Sequence, residues 1–176
     1  MMLEDKIKAT VRNVPDFPKP GILFKDITTL FENPELCNHI LDEIVHIAKP
    51  LNLDAVIGIE SRGFLFAPMV AMRLGVPFIM ARKKGKLPYK TISQSYLLEY
   101  GEATIEINQD VIQPNWNILI HDDLLATGGT AEAVAKIVQR ENANVAGFCF
   151  IISLSFLQGE KKLANYSKHI VNLATY

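Results

Sequence analysis

The residues best suited to chemistry lie together between Ile118 and Thr130, which read ILIHDDLLATGGT. An apolar run, the mark of a strand, leads into two adjacent acids, Asp122 and Asp123. Leu124 and Leu125 follow, then Ala126-Thr127-Gly128-Gly129-Thr130, then a helical pattern. Paired carboxylates at a strand end can accept hydrogen bonds from sugar hydroxyls. A glycine turn at a helix start offers a phosphate backbone N–H groups and the positive end of the helix dipole. Glycine also lets the backbone approach the anion closely and adopt φ > 0. The string therefore suits a sugar phosphate. No Lys follows the second glycine, so this is not a Walker loop, and it does not fit GxGxxG.

Two other loops carry charge. Glu60-Ser61-Arg62-Gly63 sets an arginine just ahead of a helical pattern, where its planar fork can clamp a diphosphate. Arg82 to Pro88 (RKKGKLP) gathers Arg82, Lys83, Lys84 and Lys86. Taken alone, the basic loop reads equally well as solvated surface, and Arg62 has the plainer alternative of a surface arginine at a helix start.

The elements around these loops decide between the readings. Leu3, Ile7 and Val11 predict a short helix over residues 1–12. Val14 to Gly21 holds three prolines and is expected to be irregular. Asn33-Pro34-Glu35 supplies an N-cap, an N1 proline and an acid for a helix running to about Lys49. Residues 53–59 form a continuous apolar run with one Asp near its start, as in a strand buried on both faces. A helix over 64–74, closed by Gly75, and a strand over 76–81 come next. Residues 96–100 and 103–107 predict a hairpin turning at Gly101. A strand at 117–121, a helix at 130–140, a strand at 145–154, a short helix at 160–164 and a strand at 169–173 complete the chain. Strands alternating with helices imply an α/β fold with a mostly parallel central sheet flanked by helices. Ligands of such sheets bind beyond the carboxyl ends of the strands. The ESRG, RKKGKLP and DDLLATGGT loops should therefore meet at one rim.

Length and composition set the outer bounds. The chain has 176 residues, 49% hydrophobic and 21% charged, which fits one globular domain over 1–176. A net charge of −1 provides no bulk attraction for nucleic acid or membrane. Cys37 and Cys149 sit in apolar patterns and read as free thiols of a reducing compartment. The start of the chain, MMLEDKIKAT, carries acids and lacks the apolar stretch of a signal peptide. The longest uncharged apolar run, 145–157, is too short for a membrane helix. The expected location is the cytoplasm. His39, His46, His121 and His169 do not cluster as metal ligands would.

The whole string DDLLATGGT resembles the phosphoribosyl-pyrophosphate (PRPP) motif of the type I phosphoribosyltransferases, in the form its adenine-using members carry. The resemblance runs from Val14 to about Leu163 and is borne by four motifs in order. It implies transfer of the phosphoribosyl group from PRPP to adenine, giving AMP and pyrophosphate, as in purine salvage, through an oxocarbenium-like state. It assigns the ribose to Asp122 and Asp123, and the 5′-phosphate to Ala126, Thr127, Gly128, Gly129 and Thr130. Pyrophosphate falls to Glu60, Ser61, Arg62 and Lys83, with a non-proline cis peptide between Glu60 and Ser61. Arg82 is expected to reach the partner subunit's site in a homodimer.

The same resemblance makes residues 1–33 a hood over the base, with Leu23 and Lys25 reading the adenine edge through their backbones. Phe24 would stack on the ring and Leu124 would pack on its other face. Relatives often carry Arg where Lys25 stands; lysine keeps the charge but loses the planar fork, which leaves the role to the backbone. Glu99 matches the family's proton donor and acceptor at purine N7, while Arg62 and Lys83 would stabilise the charge on the leaving pyrophosphate. Tyr100 lies beside it on a mobile β-hairpin lid spanning about 83–107. Mg²⁺ is the implied cofactor, held mainly by PRPP or pyrophosphate, with no direct protein ligand and with Asp122 or Asp123 reaching it through water. Members that use 6-oxopurines usually have Asp where Ala126 stands, so alanine points to adenine. Guanine, hypoxanthine or xanthine as the base, and a PRPP-sensing regulator that binds nucleic acid, remain the alternatives. His121 stands where valine is more usual and is expected to face a polar gap in the sheet.

Overall fold

The computed structural model describes residues 2–98 and 101–176. In chain order the elements are α1 (Leu3–Thr10), β1 (Arg12–Pro15), β2 (Leu23–Asp26), α2 (Pro34–Ala48), β3 (Ala55–Ile59), α3 (Ala67–Leu74), β4 (Phe78–Lys83), β5 (Thr91–Leu97), β6 (Glu102–Asn108), β7 (Asn117–Leu125), α4 (Gly129–Arg140), β8 (Asn144–Ser153), α5 (Gly159–Leu163) and β9 (Ile170–Thr175). Seven strands form one sheet in the order β5-β6-β4-β3-β7-β8-β9. The β4-β3-β7-β8-β9 block is parallel, and β6 and β5 add an antiparallel hairpin at one edge.

Burial explains the sheet's place. Every residue of β3 is buried. Ala55, Ile57 and Ile59 join a core shared with α4, whereas Val56 joins a second core with α1, α2 and α3. The alternation of side chains along a strand turns one apolar run into two layers. Helix starts follow local chemistry. The side chain of Asn33 accepts from Leu36 N at 3.0 Å, with Pro34 at the first helical position. Gly75 ends α3 in the left-handed region at φ 70°. No helix among the described residues is long and apolar enough to cross a membrane.

Four expectations change. Val14 and Pro15 are not irregular: β1 pairs antiparallel with β2, and Pro15 sits at the ribbon's end, where a missing N–H is tolerated. The helix expected from Phe64 begins only at Ala67, after a 3₁₀ turn over Arg62–Leu65. Strand β7 continues through the acid pair to Leu125, because β8 pairs with it that far. His121 meets no polar gap; it is fully buried, 6.5 Å from Phe66 between ring centroids. Burial pushes its pKa down to about 4.

The edge hairpin is also more extensive than expected. β5 begins at Thr91 and pairs through Leu97 with Glu102. Ile105 and Ile107 of β6 belong to the core. Much of the segment read as a lid is therefore anchored sheet.

Candidate active site

The three charged loops leave the carboxyl ends of β3, β4 and β7 and meet at one rim. From β3, the chain passes a cis peptide between Glu60 and Ser61 and turns into Arg62. Gly63 packs against β7 so tightly that a Cβ there would lie 2.9 Å from the His121 carbonyl oxygen and 3.1 Å from Asp122 Oδ1. This close approach brings Arg62 to the acids. Its Nε stands 2.9 Å from Asp123 Oδ2. The contact is an ion pair and not a directed hydrogen bond, so Asp123 Oδ2 retains its capacity to accept.

The two carboxylates differ in surroundings. Asp122 Oδ1 accepts from the Asp123 backbone N–H at 2.9 Å. Burial, followed by the charge of Asp123, raises the Asp122 pKa well above the ordinary carboxylate value. Burial also raises that of Asp123, but the Arg62 guanidinium works against the rise. The ion pair therefore favours the ionised form at Asp123, while Asp122 holds a proton more readily.

Beyond Leu125 the chain folds around a cavity of about 80 Å³, lined by Asp122, Leu124, Leu125, Phe150 and the run from Ala126 to Ala131. Gly128 takes φ 78° and precedes α4, whose first turn is capped by no side chain. Uncapped first-turn N–H groups at a helix start form an anion seat. Gly159, at the start of α5, was not singled out from sequence. A Cβ on it would overlap the Ala126 carbonyl oxygen and lie 3.1 Å from Gly128 N. The loop is thus backed by bare backbone. Tyr96 was missed as well: its ring lies 3.4 Å from where a Cβ on Gly129 would stand, so β5 borders the same loop. Neither residue carries a motif; only the packing reveals them.

From β4, Arg82 donates through Nε to Glu60 Oε2 at 3.1 Å and through Nη1 to the Lys86 carbonyl at 3.1 Å. Lys83 N donates to the same Glu60 oxygen at 3.0 Å. Glu60 therefore offers a diphosphate no positive charge of its own; its carboxylate arranges the cations. Arg82 is engaged within its own chain. Ser61 and Lys83 are exposed at the rim.

The β1–β2 ribbon stands over this rim. Phe24 is half-buried, and its ring centre lies 5.0 Å from the Arg62 guanidinium carbon and 5.1 Å from the Phe17 ring centre. Lys25 Nζ donates to Asn13 Oδ1 at 2.7 Å and lies 3.9 Å from the Tyr176 ring centre, so this side chain ties the ribbon down. Leu23 is exposed and Leu124 half-buried. Glu99 and Tyr100 lie outside the described residues. An acid pair, an anion seat, a cation cluster and an aromatic ring thus lie along one rim, which suits a phosphorylated sugar joined to a flat base.

Known proteins resemble this chain along almost its whole length. The chain matches the phosphoribosyl transferase domain over residues 26–173. It is 49% identical over 175 residues to the adenine phosphoribosyltransferase of Cytophaga hutchinsonii, covering 99% of this chain and 97% of that protein. A crystal structure of adenine phosphoribosyltransferase from Rhodothermus marinus superposes with TM-score 0.93 at 44% identity, covering 99% of this chain and 98% of the other. The enzyme from Saccharomyces cerevisiae, complexed with an imino-altritol bisphosphate and adenine, superposes with TM-score 0.90 at 36% identity, covering 97% and 98%.

Proposed function

The chain belongs to the type I phosphoribosyltransferase family, among its adenine phosphoribosyltransferases, and we propose that the rim residues carry out the transfer from PRPP to adenine as follows. The 5′-phosphate sits in the loop from Ala126 to Thr130 and fixes the reacting carbon. Asp122 and Asp123 accept hydrogen bonds from the ribose hydroxyls. Arg62 and Lys83 face the diphosphate, aided by the backbone around Ser61. Adenine lies between Phe24 and Leu124, its edge read by backbone groups of Leu23 and Lys25.

The C1–O bond to pyrophosphate breaks as the purine nitrogen attacks C1. Positive charge grows on the sugar, and negative charge grows on the leaving group. Arg62 and Lys83 stabilise the latter through fixed charges at a partly dry rim. Glu99 exchanges the proton at purine N7, with Tyr100 beside it in the chain. Mg²⁺ fits this donor set, since it prefers carboxylate and phosphate oxygens and retains waters. Asp122 or Asp123 would hold it through water, and it would neutralise charge on the diphosphate. A cytoplasmic homodimer, with Arg82 exchanging its Glu60 and Lys86 contacts for the partner subunit's site, completes the reading.

The observation that carries this assignment is the uncapped, glycine-started α4 beside the acid pair, of which Asp122 lines the loop's cavity and Asp123 is buried. An assay with PRPP, Mg²⁺ and a panel of nucleobases tests it. AMP and pyrophosphate from adenine are expected, with little turnover of guanine, hypoxanthine or xanthine. Equal turnover of a 6-oxopurine would overturn the base assignment, and inactivity on every base would overturn the reaction.

A further inference from the structure

Glu106 is a charged residue on β6, yet it is only 8% exposed. Burying a carboxylate is costly unless it makes hydrogen bonds. Its partner is on the basic loop: Gly85 N donates to Glu106 Oε2 at 2.9 Å. Glu106 stands opposite Arg82 in the β4–β6 register. The loop between them is held at several points. Lys84 N donates to Thr104 O at 3.1 Å and Lys86 N to Lys83 O at 3.2 Å. Gly85 itself turns through φ 78°. Glu60 holds the β4 side of the loop through Arg82 and Lys83, and Glu106 holds its apex.

We infer that Glu106 is a positioning residue for diphosphate recognition: by accepting the Gly85 amide, it fixes the turn that presents Lys83, Lys84 and Lys86 at the rim. The inference rests on reading this loop as the pyrophosphate-facing wall. Without the bond at the apex, the exposed lysines keep their charge but lose a common frame. Anion binding then has to supply the ordering that the turn supplies in advance. The useful property is the acceptor and not the charge. A glutamine offers the same acceptor in the same place, whereas methionine fills the volume without one. Aspartate keeps the charge but withdraws the oxygens by one methylene.

The test compares Glu106→Gln, Glu106→Met and Glu106→Asp, with Lys83→Ala as the reference for the loop itself. Steady-state kinetics give kcat and KM for PRPP and for adenine, calorimetry gives Kd for pyrophosphate, and thermal melting reports folding. Glu106→Met and Glu106→Asp should raise the KM for PRPP and the Kd for pyrophosphate about tenfold, the size of one lost hydrogen bond. The KM for adenine should change by less than about twofold, and Glu106→Gln should restore the parent values. Should Glu106→Met fail to melt cooperatively, Glu106→Asp and Glu106→Gln carry the comparison. If the Glu106 variants leave the KM for PRPP unmoved while Lys83→Ala raises it, the inference is overturned and the reading of the loop stands. If Lys83→Ala also has no effect, that reading fails and takes the inference with it. Glutamine behaving like methionine would overturn the acceptor role.

Discussion

Arg62 Nε stands 2.9 Å from Asp123 Oδ2, and its guanidinium carbon lies 5.0 Å from the Phe24 ring centre. One side chain thus bridges the carboxylate assigned to the ribose and the ring assigned to the base. In this arrangement the guanidinium lies over the Phe24 ring, where a stacked adenine would compete with it. A diphosphate on Arg62 would draw the guanidinium off both partners, since a bidentate phosphate contact is stronger than an undirected ion pair.

Adenine and pyrophosphate should therefore bind with positive coupling. Calorimetric titration of adenine with saturating pyrophosphate and Mg²⁺ should give an affinity roughly five- to tenfold higher than without them, a typical coupling between linked sites. Equal affinities would show that the Arg62 contact with Phe24 does not obstruct the base.

Glu99→Leu should lower kcat by about 10²–10⁴-fold, the usual size of general acid–base help, with little change in PRPP binding. Single-turnover kinetics separate chemistry from product release. A variant with unchanged kcat would remove Glu99 from the mechanism.

The loop from Ala126 to Thr130 leaves no room for an added side chain at Gly128 within it or at Gly159 behind it. Gly128 has φ 78°, and a Cβ there would lie 3.0 Å from the Gly159 carbonyl oxygen. A β-branched residue is poorly tolerated at this φ, so Gly128→Val should abolish measurable PRPP binding by calorimetry. Gly159→Ala should raise the KM for PRPP at least about tenfold while sparing the KM for adenine, because the new methyl overlaps Ala126 O and displaces the anion seat. Normal PRPP affinity in both variants would place the phosphate elsewhere.

His121 and Asp122, neighbours on β7, should act on stability in opposite senses. His121 has its pKa lowered by burial to about 4. Its neutral form costs nothing above the ordinary histidine value of about 6.5, and stability falls as pH drops from there towards 4, by about 3 kcal/mol. His121→Val should flatten that fall in urea-unfolding curves taken between pH 7 and 4. Asp122 has its pKa raised, so its contribution is greatest below the ordinary aspartate value of about 4 and is lost as pH rises through the raised value. Asp122→Asn should raise Tm at pH 8, with the gain shrinking towards pH 4. An equal gain at both values would assign it to packing and not to the proton.

What could be read from the sequence follows from local physics. The two-sided burial of β3 is written in an unbroken apolar run. The start of α2 is written in Asn33 and Pro34, and the end of α3 in Gly75. The string from Asp122 to Thr130 carries its chemistry in residue type and spacing alone, and the convergence of three loops at one rim follows from parallel strands. Tertiary structure alone decided the rest. That β7 runs on through Asp122 and Asp123 depends on pairing with β8, and that Val14 and Pro15 form a strand depends on β2. Gly159 looks like an ordinary helix start until Ala126 lies against it, and Glu106 looks like a surface acid until Gly85 turns towards it. Periodicity and propensity record what neighbours along the chain do to one another. Contacts across tens of residues are selected only when the whole sheet closes, and those contacts set the final positions of the site's charges.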